Sequence, residues 1–298
     1  MSSPSPFVTS NGLTDQSAGR SVVVDGTPMH YHDIGEGEPI LFLHSYGPGS
    51  NAWITWHKVV PYFAARYRCI LMDLVNYGES GPRVFQEQIH GLHARQAKGL
   101  LDAIGIDRVD VVGNSQGGQT AFAFAYTYPE RTKKLVWGAG HVGTNRGYRN
   151  EYLMAIEPEE GLRATLEVIE DPSAKNFERY LKVHIDDPAL VTPELVEYVR
   201  DTYLSRPDIL EASGKSFSTP HDHAPEMAEL EAETLIIWGR NDRMCTFEIG
   251  INALNLTRNS RLVVLRDTGH WVPFEKPAEY AAHVLSFLDG YLQKPAAG

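Results

Sequence analysis

The stretch Val109-Asp-Val-Val-Gly-Asn-Ser-Gln-Gly-Gly-Gln-Thr-Ala-Phe-Ala-Phe-Ala125 decides the fold. Its β-branched run stops at Gly113, and a helix rich in small residues begins just after it. A strand that becomes a helix within two or three residues holds its pivot in a sparsely populated backbone conformation. The pivot here is Ser115, and the positions two away, Gly113 and Gly117, must be small to avoid collision. The pattern G-x-S-x-G between a strand and a helix predicts a nucleophile elbow, with a serine oxygen raised at the top of a parallel sheet. The pentad alone is short enough to arise by chance; the strand before it and the helix after it give it weight.

Working outward, extended segments fall near residues 21–24, 29–34, 39–44, 68–73, 108–113, 134–137, 234–238 and 261–266. Several are unbroken apolar runs, as strands buried on both faces of a parallel sheet require. Helical patterns at 87–104, 116–128 and 277–292 alternate with the later strands. The expectation is an α/β fold with eight mostly parallel strands and helices on both faces. One interval breaks the rhythm: about ninety-five residues separate the strand ending at Trp137 from the one beginning at Thr234, far beyond an ordinary connection. "GYRNEYLMAI", "SAKNFERYLKVHI" and "TPELVEYVRDTYL" within it carry helical spacing, the last with Thr192 and Pro193 as start signals. The division expected is a mobile tail over 1–20, a core over 21–137 and 234–298, and an inserted helical lid over 138–233.

Bulk properties narrow the function. Apolar residues make up 42% of the chain, ordinary for a globular core. The net charge of −11 argues against a nucleic-acid backbone as partner. No run approaches the roughly twenty apolar residues of a membrane span, and the first twenty lack the apolar centre of a signal peptide. Two isolated cysteines, Cys69 and Cys245, fit a reducing compartment. The expected location is cytoplasmic, and the expected partner is a small-molecule substrate.

A serine hydroxyl needs a base within reach and a group that orients the base. The elbow predicts their order along the chain: serine, then an acid past a later strand, then a histidine near the end. Asp242 follows the apolar strand in "LIIWGRNDRMC", and His270 follows the next strand in "VVLRDTGHWVPFEKP". Asp267 is the competing acid, disfavoured because it lies three positions from His270 on the same strand end. The loop "LFLHSYGPGSNAW" after the strand at 39–44 bears glycines that let backbone N–H groups face a substrate oxygen. Acyl chemistry needs two such donors, and the N–H groups of Tyr46 and Gln116 are the candidates.

Taken together, these pieces resemble the α/β-hydrolase superfamily from about residue 22 to 292. More narrowly they resemble the meta-cleavage product hydrolases, which cut a carbon–carbon bond in vinylogous diketone acids formed by catechol ring fission. The matching motifs are "HSYGPG", "GNSQGG", "WGRNDR" and "GHWVPFE". The resemblance implies Ser115, Asp242 and His270 as a triad and no metal or organic cofactor. It also implies substrate contacts from Ser45, Gly47 and Asn114, Trp271 packed on the dienoate, and a homodimer. The family's lid arginine, which grips the substrate carboxylate, falls on Val199, with Arg200 one step along. One residue on a helix is a rotation of about 100°, so Arg200 either turns inward as the anchor or pairs with Glu197 or Asp201 on a solvated face. Val75 and Asn76 also replace a usual proline and glycine, and Ser45-Tyr46 replaces two small residues. A carboxylesterase or lactonase with the same triad remains the alternative, and a ligand receptor on a retained hydrolase scaffold is a third class. Ser115 at the elbow speaks against haloalkane dehalogenases and epoxide hydrolases, which carry aspartate there.

Overall fold

The computed structural model of the chain describes residues 7–141 and 160–290. Its strands are β1 (Gly19–Val24), β2 (Thr27–Ile34), β3 (Glu38–Leu43), β4 (Tyr67–Met72), β5 (Val109–Asn114), β6 (Thr132–Gly138), β7 (Glu233–Gly239) and β8 (Ser260–Leu265). They form one eight-stranded sheet in the order β1-β2-β4-β3-β5-β6-β7-β8. The pairs β1–β2 and β2–β4 are antiparallel, and every other pair is parallel. The carboxyl ends of β3, β5, β7 and β8 therefore share one edge, and β3 lies between β4 and β5 where the winding reverses. In open α/β sheets that edge and that switch point are where ligands bind.

Alternation along the strands sends successive residues to opposite faces. Leu41, Leu43, Val109, Val111, Leu135 and Trp137 bury one face under the long helices α4 (Ile89–Ala103) and α5 (Gln116–Thr127). Ile40, Phe42, Val112, Val136, Leu235 and Ile237 bury the other against Trp53, Trp56 and Phe63. Those aromatics sit on or beside the short helices α2 (Ala52–Trp56) and α3 (Val60–Phe63), which the apolar periodicity did not reveal.

Residues 7–18, expected to belong to a mobile tail, instead pack on the core. The Phe7 ring lies 5.1 Å from Tyr198 and 5.5 Å from His57, and its carbonyl accepts the Trp53 Nε1–H at 2.7 Å. Thr14 caps α1 (Asp15–Ala18), whose Asp15 Oδ1 lies 2.7 Å from His32 Nε2. A few specific polar contacts offset the ordering cost that low hydrophobicity alone would not.

Between β6 and β7 the described helices are α6 (Glu160–Glu170), α7 (Ala174–His184), α8 (Pro193–Leu204), α9 (Pro207–Lys215) and α10 (Ala224–Glu229). The expected helix over "GYRNEYLMAI" lies outside the described residues. Thr192 accepts the Leu195 N–H and starts α8, as its position before Pro193 requires. Phe177, Tyr180, Leu181, Leu195 and Val199 form a third apolar cluster that also takes in Ile54, Trp271 and Phe274 of the core. The chain then closes with α11 (Glu248–Leu256), α12 (Val272–Glu275) and α13 (Pro277–Leu288).

Candidate active site

Ser115 sits between β5 and α5 with φ 57° and ψ −124°. This is a left-handed conformation that a non-glycine residue adopts only when its surroundings enforce it. The enforcement is visible in the two flanking glycines. A Cβ on Gly117 would lie 2.1 Å from the Leu43 carbonyl oxygen, and one on Gly113 would lie 2.1 Å from that of Gly117. Ser115 N–H also donates to the Gly138 carbonyl at 2.8 Å, which ties the elbow to the neighbouring strand.

His270, in the loop after β8, places Nε2 2.9 Å from Ser115 Oγ and Nδ1 2.8 Å from Asp242 Oδ2. Asp242 is held in turn: Oδ1 accepts the N–H groups of Met244 and Cys245, each at 2.8 Å. All three side chains are buried. Asp267 is exposed and accepts the Arg266 Nε–H at 3.0 Å instead. With Asp242 ionised, Nδ1 carries the ring proton, so Nε2 presents a lone pair to the serine hydroxyl. The arrangement can take a proton from Ser115 and return it to a leaving group.

Two residues of the surroundings were not legible as site residues. Glu275 Oε1 accepts the Gly269 N–H at 3.0 Å and Oε2 accepts that of Asp186 at 2.8 Å. Burial raises its carboxyl to about 7, against a partial opposing effect of these N–H groups. His184, at the end of α7, accepts the His270 N–H on its carbonyl at 2.7 Å, and its ring stands edge-on to that of His270 at 5.5 Å. Burial holds the His184 ring down to about 3, with a smaller push from His270, so it stays neutral. The loop bearing His270 is therefore fastened to the inserted helices through backbone groups, which no side-chain motif announces.

The loop after β3 is tied down by His44. Leu74 N–H donates to His44 Nε2 at 3.0 Å, which leaves Nδ1–H to donate to the Ser45 carbonyl at 2.8 Å. Glycines at 47 and 49 are demanded by packing: added Cβ atoms would lie 2.1 Å from the Tyr180 hydroxyl and 2.0 Å from the Val199 carbonyl. Asn114 donates through Nδ2 to Ser45 Oγ at 2.9 Å and to the His270 carbonyl at 3.1 Å. It thus joins the two loops around the serine. Tyr46 and Gln116 sit at the carboxyl ends of the adjacent strands β3 and β5, and the Gln116 side chain accepts the Tyr77 hydroxyl at 3.0 Å.

A cavity of about 350 Å³ opens beside the loop after β3, walled by Tyr46, Gly47, Tyr77, Tyr203, Arg206 and Ile209 among others. Tyr46 and Gly47 are the expected site residues in its wall, and Ser115 and His270 lie outside its lining. Arg200 is not part of its lining. Its Nε donates to the Pro172 carbonyl at 2.9 Å and its guanidinium lies 3.7 Å from Asp201. The inward turn expected of Arg200 as one alternative is corrected: Val199 takes the buried face of α8 against Gly49, and the next residue points to the start of α7. Arg206 lines the cavity instead, forked by Asp208 at 3.0 and 2.8 Å and bonded to the Gly78 carbonyl. Trp271 is buried in the third apolar cluster, and its Nε1–H has no partner among the described residues. Asn76, standing where a glycine is usual, has φ 64° and satisfies both amide ends on Arg83. Asn tolerates this conformation for that reason.

Comparison with known proteins agrees with the fold. A family profile described as the α/β hydrolase fold matches residues 38–277. The 2-hydroxy-6-oxononadienedioate/2-hydroxy-6-oxononatrienedioate hydrolase of Paraburkholderia xenovorans (strain LB400) is 34% identical over 94% of this chain and 99% of its own. The 2-hydroxy-6-oxo-6-phenylhexa-2,4-dienoate hydrolase of Comamonas testosteroni is 33% identical over 87% of this chain and 91% of its own. Among solved structures, the meta-cleavage product hydrolase CumD of Pseudomonas fluorescens IP01 superposes with a TM-score of 0.80 at 27% identity, covering 93% of this chain and 100% of that one.

Proposed function

The chain belongs to the α/β-hydrolase family and, within it, to the meta-cleavage product hydrolases; from that premise we propose that it hydrolyses a carbon–carbon bond in a vinylogous diketone acid produced by aromatic ring fission. The observation that carries serine hydrolysis is the single imidazole of His270 bonded at once to Ser115 Oγ and Asp242 Oδ2, and the dienoate hydrolases among the relatives support the carbon–carbon substrate class. His270 Nε2 accepts the serine proton as Oγ, or a water it activates, attacks the ketone carbonyl. The N–H groups of Tyr46 and Gln116 receive the oxyanion. The substrate first ketonises, gaining a proton on the carbon beside the scissile bond, so that when the carbon–carbon bond breaks its electron pair is taken up as a dienolate. The proton held by His270 completes the hydroxydienoate, and water completes release of the acid. Asp242 holds the tautomer that this sequence requires. Asn114 keeps the loops of Ser45 and His270 at a set distance, and the helices of 138–233 serve as a lid over the cavity. The family resemblance further supports a homodimer, which light scattering checks, and a cytoplasmic location; no helix among the described residues is long and apolar enough to cross a membrane.

One observation favours a second reading, hydrolysis of a neutral ester or lactone. Arg206, the charged side chain lining the cavity, is already forked by Asp208, which weakens its grip on a substrate carboxylate. The purified protein and Ser115→Ala, assayed side by side on a ring-fission dienoate and a short p-nitrophenyl ester, separate the two. Serine-dependent turnover of the dienoate exceeding that of the ester supports the carbon–carbon reading. Turnover of the ester alone establishes the second.

A further inference from the structure

Away from the triad, three donor side chains converge in the segment that leads into α10. His221, His223 and Glu226 form the pattern His-x-His-x-x-Glu, and each offers a donor atom within 4.8 Å of the other two. His221 Nε2 lies 2.8 Å from Glu226 Oε1, and the rings of His221 and His223 are 4.6 Å apart. Two further atoms of the same residues, His223 Nδ1 and Glu226 Oε2, are buried with no hydrogen-bond partner among the described residues. An orphaned carboxylate oxygen and an orphaned imidazole nitrogen in one place are costly as they stand. A cation relieves both, because it takes the lone pair of each.

We infer that His221, His223 and Glu226 form a binding site for a divalent transition-metal ion of the zinc type. Two imidazoles and one carboxylate suit zinc better than magnesium or calcium, which prefer oxygen donors throughout. Three protein ligands leave a fourth position for water. The far side of the His223 ring is braced: Nε2 lies 3.4 Å from His90 Nδ1, and Phe122 and Tyr126 flank it at 5.5 and 6.0 Å. Bracing of this kind orients a ligating histidine. His221 is partly exposed, which provides a route for the ion.

The location indicates the role. Phe122 and Tyr126 stand on α5 about 10 to 16 Å along the helix from Ser115 at 1.5 Å per residue. An ion here does not touch the reacting atoms. It ties the stretch by which the inserted helices return to β7 onto the α4–α5 face of the core, and so fixes one root of the insertion.

The test uses the full chain, stripped with EDTA and titrated with zinc chloride by calorimetry and thermal melting. One zinc per chain and a rise in Tm are expected. His221→Ala and Glu226→Gln should each weaken binding at least about tenfold, while the metal-free Tm and the turnover stay as in the wild type. Asp15→Ala is the control, because Asp15, His30 and His32 make the other group of three with compatible spacing; it should bind zinc normally. Absence of saturable zinc binding by the wild type overturns the proposal. So does undiminished affinity in both His221→Ala and Glu226→Gln, or loss of the zinc in Asp15→Ala.

Discussion

Asparagine at position 242 should reverse the polarity of the triad, because the surroundings dictate how its amide sits. Oδ1 of Asp242 accepts two backbone N–H groups at 2.8 Å, from Met244 and Cys245. An amide NH2 placed there would face two donors, so the oxygen must stay and the NH2 must turn to His270 Nδ1, 2.8 Å away. A donor at Nδ1 requires that nitrogen to be unprotonated, and the ring proton moves to Nε2. Across the 2.9 Å to Ser115 Oγ, His270 then donates where it has to accept. Flipping the amide restores the tautomer but orphans two buried N–H groups, at about 1–3 kcal/mol each. The competent form is then populated at about 4 × 10⁻² to 5 × 10⁻⁵ at 1.4 kcal/mol per decade. The neutral amide also no longer stabilises the imidazolium, so Asp242→Asn should lower kcat/KM by about 10³–10⁴. Two assays check it: absorbance loss of a ring-fission dienoate, and the rate at which an organofluorophosphonate adds to Ser115, followed by intact mass. The second holds whatever the natural substrate is. Rates within tenfold of wild type in both, with an unchanged melting curve, would refute the reasoning.

Ser115→Ala and His270→Ala should each reduce turnover by several orders of magnitude, and the double variant should be little worse than either, because the two act in one step; steady-state kinetics on all three variants checks this. Arg206→Ala should raise KM for an acidic dienoate severalfold and leave a neutral ester unaffected, whereas Arg200→Ala, bonded to Pro172 outside the cavity, should leave both within twofold. Glu275 has a carboxyl raised from 4.5 to about 7 by burial, so the folded state holds its proton more tightly than the unfolded one. Its contribution to stability is complete below about pH 4.5 and declines as pH rises through about 7, by about 3 kcal/mol in all. Chemical denaturation from pH 4.5 to 8 should show the stability gap between wild type and Glu275→Gln shifting against the wild type by up to that amount, and a gap constant with pH would contradict it.

The strand pattern was legible because each strand carries its own signal. Ile40–Leu43, Leu135–Trp137 and Leu235–Trp238 are apolar runs whose length alone separates them from helices, and all eight expected strands lie in the one sheet. The short helices over Ala52–Trp56 and Val272–Glu275 escaped because four or five residues are too few to display a helical period. The packed segment at 7–18 escaped because its anchors, Phe7 and Asp15, act through single contacts with residues remote in sequence.

What the sequence determined alone is what local chemistry and chain order can encode. Gly113, Ser115 and Gly117 between a strand and a helix demand the elbow, and parallel winding then delivers the ends of β3, β5, β7 and β8 to one edge. Asp242 and His270 follow from that order. The tertiary structure decided everything that depends on direction. The sequence pattern left Arg200 free to face either way, and the buried placement of Val199 against Gly49 turned it outward and left Arg206 on the cavity wall. Glu275, His184 and the group at His221–Glu226 acquire their partners only when distant segments meet. The physical reason is that a side chain's neighbours along the chain set its secondary structure, while its partners in space are set by packing between elements, which no local spacing records.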